Sequence, residues 1–68
     1  MSDSVYKKIQ VVGCSEKSYE DAIANAVKKS SETLHAIHWW EVVEMRGAVR
    51  DGKPVEYQVT VSLAFKVD

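Results

Sequence analysis

From Val55 to Val67 the chain alternates without interruption: Tyr57, Val59, Val61, Leu63, Phe65 and Val67 fall on one side, and Glu56, Gln58, Thr60, Ser62, Ala64 and Lys66 on the other. Successive side chains of a strand point to opposite faces, so the pattern dictates a long β-strand with one apolar face. A face of that length has to be covered, and one segment of the chain is suited to it. Tyr19, Ile23, Ala26, Val27, Ser30 and Leu34 recur at the three-and-four spacing of a single helical stripe, while Glu20, Asn25, Lys28, Lys29 and Glu32 occupy the opposite, solvated side. Ser18 supplies an N-cap with Asp21 three residues on; Glu20 and Asp21 at the start, and Lys28 and Lys29 near the end, complement the helix dipole. A helix over about Tyr19 to Thr33 is expected, packed on the apolar face of the last strand.

Two further strands precede that one. Val5 to Gly13 is rich in β-branched residues and is stopped by the glycine. Ile37 to about Val49 reads as the second strand, joined to the third through Arg50-Asp51-Gly52-Lys53, with Pro54 at the strand start, where its missing N–H does least harm. The order is β-α-β-β, an α+β fold in a single domain over residues 1–68. The helix either crosses from strand one to strand two or lies on a sheet paired in another order, and the residue pattern leaves both open. With Asp51-Gly52 as a two-residue loop, Arg50 faces Lys53, Met45 faces Gln58, Val43 faces Thr60, Glu41 faces Ser62 and Trp39 faces Ala64. A one-residue bulge at Gly47 would reverse the faces of part of strand two.

On the unbulged register the adjacent Trp39 and Trp40 part company. Trp40 and Val42 join the helix-covered core, whereas Trp39, Val43 and Met45 lie with Gln58 on a face that one helix cannot cover. A strand of about twelve residues spans roughly 40 Å, while a 68-residue globule is only roughly 28 Å across. The hairpin must therefore overhang its own domain, and neighbouring subunits are expected to close over it. Cys14 is the lone cysteine and no Cys/His spacing suits structural zinc, so oligomerisation is also the remaining support for so short a chain.

Nine basic residues against ten acidic ones form no basic patch, which argues against a nucleic-acid partner. The start, Met1-Ser2-Asp3-Ser4-Val5-Tyr6-Lys7-Lys8, has no apolar leader, and no later run is long enough to span a bilayer. A soluble cytoplasmic protein without a membrane partner is expected, where a free thiol is ordinary.

Trp39 supports two readings. It could be an interface anchor in a purely structural shell that holds no cofactor, or a platform on which a ligand stacks. Its company favours the second: Gln58 offers donors and an acceptor on the same face, and the small Ala64 leaves space, so a flat heteroaromatic ring could stack on the indole while Gln58 bonds its edge. Arg46 could fork onto a phosphate or carboxylate, or pair with Glu44 or Glu56. Glu41 and Glu44, three apart on a strand, face opposite sides and cannot serve one substrate as an acid/base pair. His35, His38 and Cys14 are scattered over three elements and make no metal site; Cys14, placed in the strand-to-helix loop after Gly13, has no neighbouring His to activate it. With no Gly-rich phosphate loop and no Ser-His-Asp ordering, the residues speak for a binding module rather than an enzyme.

Taken together, Val5-Tyr6-Lys7-Lys8, Gly13-Cys14-Ser15-Glu16, Trp39-Trp40-Glu41-Val42 with Arg46-Gly47, and Glu56-Tyr57-Gln58-Val59 resemble the dodecins, small flavin-binding proteins that assemble as hollow dodecamers. Cys14 departs from the threonine common in that family, and Trp40 departs mildly. The resemblance implies a three-stranded antiparallel sheet partly wrapping its helix, a homo-dodecameric shell, and flavin storage at two-fold axes where paired isoalloxazine rings stack between symmetry-related Trp39 side chains. It further implies that Gln58 bonds the polar edge of the ring, that Arg46 lies near the phosphate of FMN, and that Glu44 contacts the ribityl chain. FMN is the flavin expected, with riboflavin and FAD as alternatives, and coenzyme A is a further ligand for which exposed groups such as Lys7 and Lys66 are available.

Overall fold

The computed structural model describes residues 3–67. Met1 and Ser2, which belong to the N-terminal reading above, and Asp68 lie outside the described residues. The elements are β1 (Tyr6–Ser15), α1 (Tyr19–Ser30), β2 (Ile37–Arg50) and β3 (Lys53–Lys66), in the expected β-α-β-β order. The sheet order is β1-β3-β2 with both pairings antiparallel. The most regular strand of the sequence is thus the central one, and α1 carries the chain from one sheet edge to the other across it.

The alternation of β3 divides the sheet into a helix face and an open face. Val59, Val61 and Leu63 are fully buried on the helix face beneath Ala22 and Ala26, with Ile9, Val11, Tyr19, Ile23, Val27 and Ile37 packed around them. Ala22 was absent from the stripe read off the sequence, and the reason for its burial is the glycine opposite. A Cβ on Gly13 would stand 2.1 Å from the Ala22 carbonyl oxygen and 2.8 Å from Ala26 Cβ. Gly13 therefore does not stop β1; it lets the helix approach the strand, which continues to Ser15. Cys14 accordingly lies within β1, opposite Gln58, and not in the loop, and its thiol is free and exposed.

The helix ends at Ser30, earlier than Thr33: after the last regular bond, from the Ser31 N–H to Val27 O at 2.9 Å, the chain tightens into three-residue turns in which Glu32 N–H donates to Lys29 O at 3.2 Å and Thr33 N–H to Ser30 O at 3.1 Å. At the other end Ser18 Oγ accepts the Asp21 N–H at 3.0 Å. The Asp21 carboxylate does not turn back to the cap residue. It accepts the hydroxyl of Ser15 at 2.7 Å, and Ser15 Oγ in turn accepts the N–H of Lys17 at 2.9 Å and of Ser18 at 3.4 Å. Ser15 thus carries out the reciprocal half of the cap and ties β1 to α1. Ser18→Ala should lower unfolding free energy by about 1 kcal/mol, read as a shift in denaturation midpoint at fixed protein concentration.

The hairpin turns at Asp51 and Gly52, whose φ angles of 53° and 75° are both positive, as a two-residue Asp-Gly loop requires. Leaving the turn, Arg50 faces Lys53 and Val49 faces Pro54; the register then slips by one at Val55 and slips back at Val43, with a further irregularity at His38. Gly47, the position considered as an alternative for a bulge, pairs regularly with Tyr57. Between the two slips the faces of β2 are exchanged: Arg46 faces Gln58, Met45 faces Val59 and Glu44 faces Thr60, in place of the Met45–Gln58 and Val43–Thr60 pairs. Beyond Val43 the expected register returns, with Glu41 opposite Ser62 and Trp39 opposite Ala64.

Trp40 and Val42 do look toward the helix side, yet they are not core. The helix packs on β1 and β3 and stops short of β2, leaving Trp40 49% and Val42 43% exposed. Met45 joins them on that uncovered half of the helix face. The described residues extend 56 × 20 × 14 Å, so the hairpin overhangs as the strand length required. Among them, no helix is long and apolar enough to cross a membrane.

Candidate functional site

The two register slips decide what gathers on the open face. Trp39 and Glu41 reach it by simple alternation, and the bulge at Val43 adds Glu44 and Arg46, so the four candidate residues Trp39, Glu44, Arg46 and Gln58 share one surface. The same bulge places Glu41 and Glu44 on one side, which corrects the opposite faces inferred from their spacing. From β1, pairing puts Tyr6, Lys8, Gln10, Val12 and Cys14 on this surface.

Within it there are two clusters. In the first, Arg46 Nε donates to Gln58 Oε1 at 2.9 Å and an Arg46 Nη donates to Thr60 Oγ1 at 3.0 Å, while Glu44 stands 3.8 Å from the guanidinium. Gln58 Nε2 donates to Glu56 Oε1 at 2.6 Å. The Gln58 amide is thereby oriented, its oxygen toward the cation and its NH₂ toward the carboxylate, and Arg46 lies over the central strand instead of trailing into solvent.

In the second cluster Trp39 Nε1 donates to Glu41 Oε2 at 2.8 Å, and Lys8 from the far edge strand pairs with the same carboxylate at 3.0 Å. Tyr6 packs on the indole with ring centroids 4.8 Å apart at 59°, and the His38 ring meets Tyr6 edge-on at 5.3 Å. Space over Ala64 was expected for a ligand, yet Ala64 is fully buried and Ser62 nearly so. Tyr6, Lys8, Trp39 and Glu41 flank these small residues from both neighbouring strands and close over them. Trp39 nonetheless keeps 39% of its surface exposed.

The Glu41 carboxyl is held below the usual carboxylate value, first by the Trp39 N–H and then by Lys8, against an opposing loss of solvation. A depressed folded value means that the bonds to the carboxylate contribute fully above the unfolded-state pKa. Their contribution is lost as pH falls through the lower folded value.

The clusters are well apart. Trp39 faces Ala64 and Arg46 faces Gln58, six residues along β3, which at about 3.3 Å per residue is a separation of roughly 20 Å. A ring stacked on one protomer's Trp39 is out of reach of that protomer's own Gln58. The shared face therefore does not bring Trp39 and Gln58 of one protomer side by side.

A family model described as Dodecin matches residues 5–68. The chain belongs to the dodecin family. It is 39% identical over 64 residues to the dodecin of Thermus thermophilus, covering 94% of this chain and 93% of that protein. The calcium dodecin of Mycobacterium tuberculosis is 33% identical over 64 residues, 94% of this chain and 90% of that one. The solved dodecin of Streptomyces coelicolor superposes with a TM-score of 0.94 at 37% identity, over 100% of this chain and 97% of the other. The antiparallel three-stranded sheet with its one helix is therefore the dodecin fold.

Residue-by-residue reasoning overlooked three participants in the two clusters, Tyr6, Lys8 and Thr60, and it offered Glu56 as a partner of Arg46, whereas Glu56 accepts from Gln58. Tyr6 and Lys8 could be found only from the β1–β3 pairing, because β1 and β2 are not neighbours and nothing in the residue order says that their side chains meet over Ala64. Thr60 was assigned to the right face, but its role with Arg46 depended on the bulge.

Proposed function

We propose that this dodecin stores and sequesters flavin, preferably FMN, in a hollow homo-dodecamer, with pairs of isoalloxazine rings stacked between Trp39 side chains related by two-fold axes. One observation carries the reading: Trp39 and Gln58 lie on a single uncovered sheet face at opposite ends of a span of roughly 20 Å. A two-fold axis turns a second copy end for end, so the Gln58 end of one protomer approaches the Trp39 end of the other. Each ring then stacks on one subunit's indole while the other subunit's amide reaches its polar edge.

Arg46, bonded to Gln58, is the cation available to a phosphate tail, which favours FMN over riboflavin, and FAD would have to place its bulky adenylate in the same space. Glu44, exposed beside Arg46, is placed to accept from ribityl hydroxyls. For coenzyme A there is only the exposed charge of Lys7 and Lys66, a weaker case. Calcium, which the Mycobacterium relative's name invokes, finds among the described residues no grouping of three His, Cys, Asp or Glu side chains in one protomer. An aromatic stack filled on both sides leaves no position for a substrate beside the ring, so the role is binding and not catalysis. The exposed free thiol of Cys14 suits a reducing cytoplasm.

The test is an FMN titration of the purified protein joined to a native mass. Saturation at one flavin per subunit in a twelve-subunit particle, with flavin fluorescence quenched by the indole, is the expected result. A particle of that mass that takes up no flavin would instead favour a structural shell in which Trp39 is an interface anchor.

A further inference from the structure

On that flavin reading, we propose that Glu41 is a positioning residue for the stack, holding the Trp39 indole in the plane that a flat ring must meet, with Lys8 and Tyr6 as its supports. An indole exposed on an edge strand has several rotamers open to it, and a ligand that needs one of them must order the side chain on binding. Here the ordering is completed on folding. The indole N–H is bonded to Glu41 at 2.8 Å, the Tyr6 ring packs against the indole, and Glu41 is itself anchored by Lys8 at 3.0 Å. The arrangement reaches from β1 to β2 across the central strand, which is possible because β3 presents only Ser62 and Ala64 beneath it. A larger residue at either position would stand between the two edge strands and separate Lys8 from Glu41.

Glu41 has no other evident task. It is exposed on the sheet surface beside the buried Ser62, and the only bonds its side chain makes among the described residues are those to Lys8 and Trp39. It is a bonded acceptor, not a ligand group: its two oxygens are already directed at the indole and the ammonium. The roles divide in a way that substitutions can separate. A glutamine at 41 keeps an oxygen to accept the indole N–H and gives up only the charge, whereas an alanine gives up both.

The experiment uses riboflavin, which carries no phosphate, so that altering the charge beside the stack does not act directly on the ligand. Riboflavin affinity, native mass and circular dichroism are measured for the parent, Glu41→Ala, Glu41→Gln and, as a reference for the stack, Trp39→Ala. Glu41→Ala should bind about tenfold more weakly at unchanged mass, and Glu41→Gln should recover to within about threefold of the parent. Affinity in Glu41→Ala within twofold of the parent would overturn the positioning role, as would a glutamine variant as weak as the alanine one. Should Glu41→Ala fail to assemble, the glutamine variant decides alone: near-parental binding supports the role, and a tenfold loss removes it. Failure of the flavin reading is separately visible, because then the parent itself would not bind and Trp39→Ala would change nothing.

Discussion

Trp39→Ala is expected to weaken FMN binding about a hundredfold while the native mass stays unchanged. Stacking a flat heterocycle on an aromatic side chain is worth about 1–3 kcal/mol by alanine substitution. The substitution removes both indoles of a two-fold site at once, together with the apolar area they cover, so a loss near the top of that range, about 3 kcal/mol, is the reasonable figure. That corresponds to roughly two decades in Kd. The protomer should tolerate the change because Trp39 is not part of its core: the buried cluster is made by Ala22, Ala26, Val59, Val61 and Leu63. Gln58→Ala should cost less, about tenfold, since it removes hydrogen bonds worth about 0.5–1.5 kcal/mol each and also releases Arg46 from its Oε1 partner. Equal affinity in parent and Trp39→Ala, by titration of intact particles, would remove the stacking assignment; loss of the particle in that variant would show the indole to be an interface anchor instead.

The largest expected effect on stability comes from a single methyl group. Gly13→Ala places a Cβ 2.1 Å from the carbonyl oxygen of Ala22 and 2.8 Å from Ala26 Cβ. The nearer clash is with helix backbone, which no rotamer change relieves, so α1 must lift from β1. Lifting it loosens the contact over Val59, Val61 and Leu63, which form the centre of the core. Overpacking of a tight core costs about 1–3 kcal/mol, occasionally more, and the backbone clash puts this case at the upper end. A domain of this size holds only about 3–10 kcal/mol in all. With about 4–8 °C lost per kcal/mol, the melting midpoint should fall by about 10–20 °C at fixed protein concentration. Gly52→Ala is the informative contrast: nothing lies within 4 Å of its added Cβ, and only its φ of +75° is strained, so a loss of about 1 kcal/mol is expected. A Gly13→Ala protein that melted within 3 °C of the parent would mean that the helix can shift along the strand without loss.

The fold lay close to the surface of the residue order, and particular residues show why. The apolar face of β3 was readable because period two is a property of the strand alone, and the Asp51-Gly52 turn because positive φ at both positions is a local demand. Ser18 was readable for the same reason. Gly13 was misread as a strand stop, since a glycine demanded by a neighbour looks the same in sequence as one demanded by its own backbone. Trp40 and Val42 were misplaced because alternation tells which side a residue takes, not how far the helix reaches across that side.

The candidate site was legible in its members and not in its arrangement. Residue order alone was enough for three long strands, one amphipathic helix, an overhanging hairpin and an indole that its own helix could not cover, all of which follow from local periodicity and chain length. It could not say that Glu44 and Arg46 stand beside Gln58, or that Lys8 from β1 reaches Glu41. Those depend on a strand order of β1-β3-β2 and on two slips that compensate one another at Val55 and Val43. Each slip moves every later side chain to the other face at almost no local cost, so it is the packing of whole strands against one another that selects them.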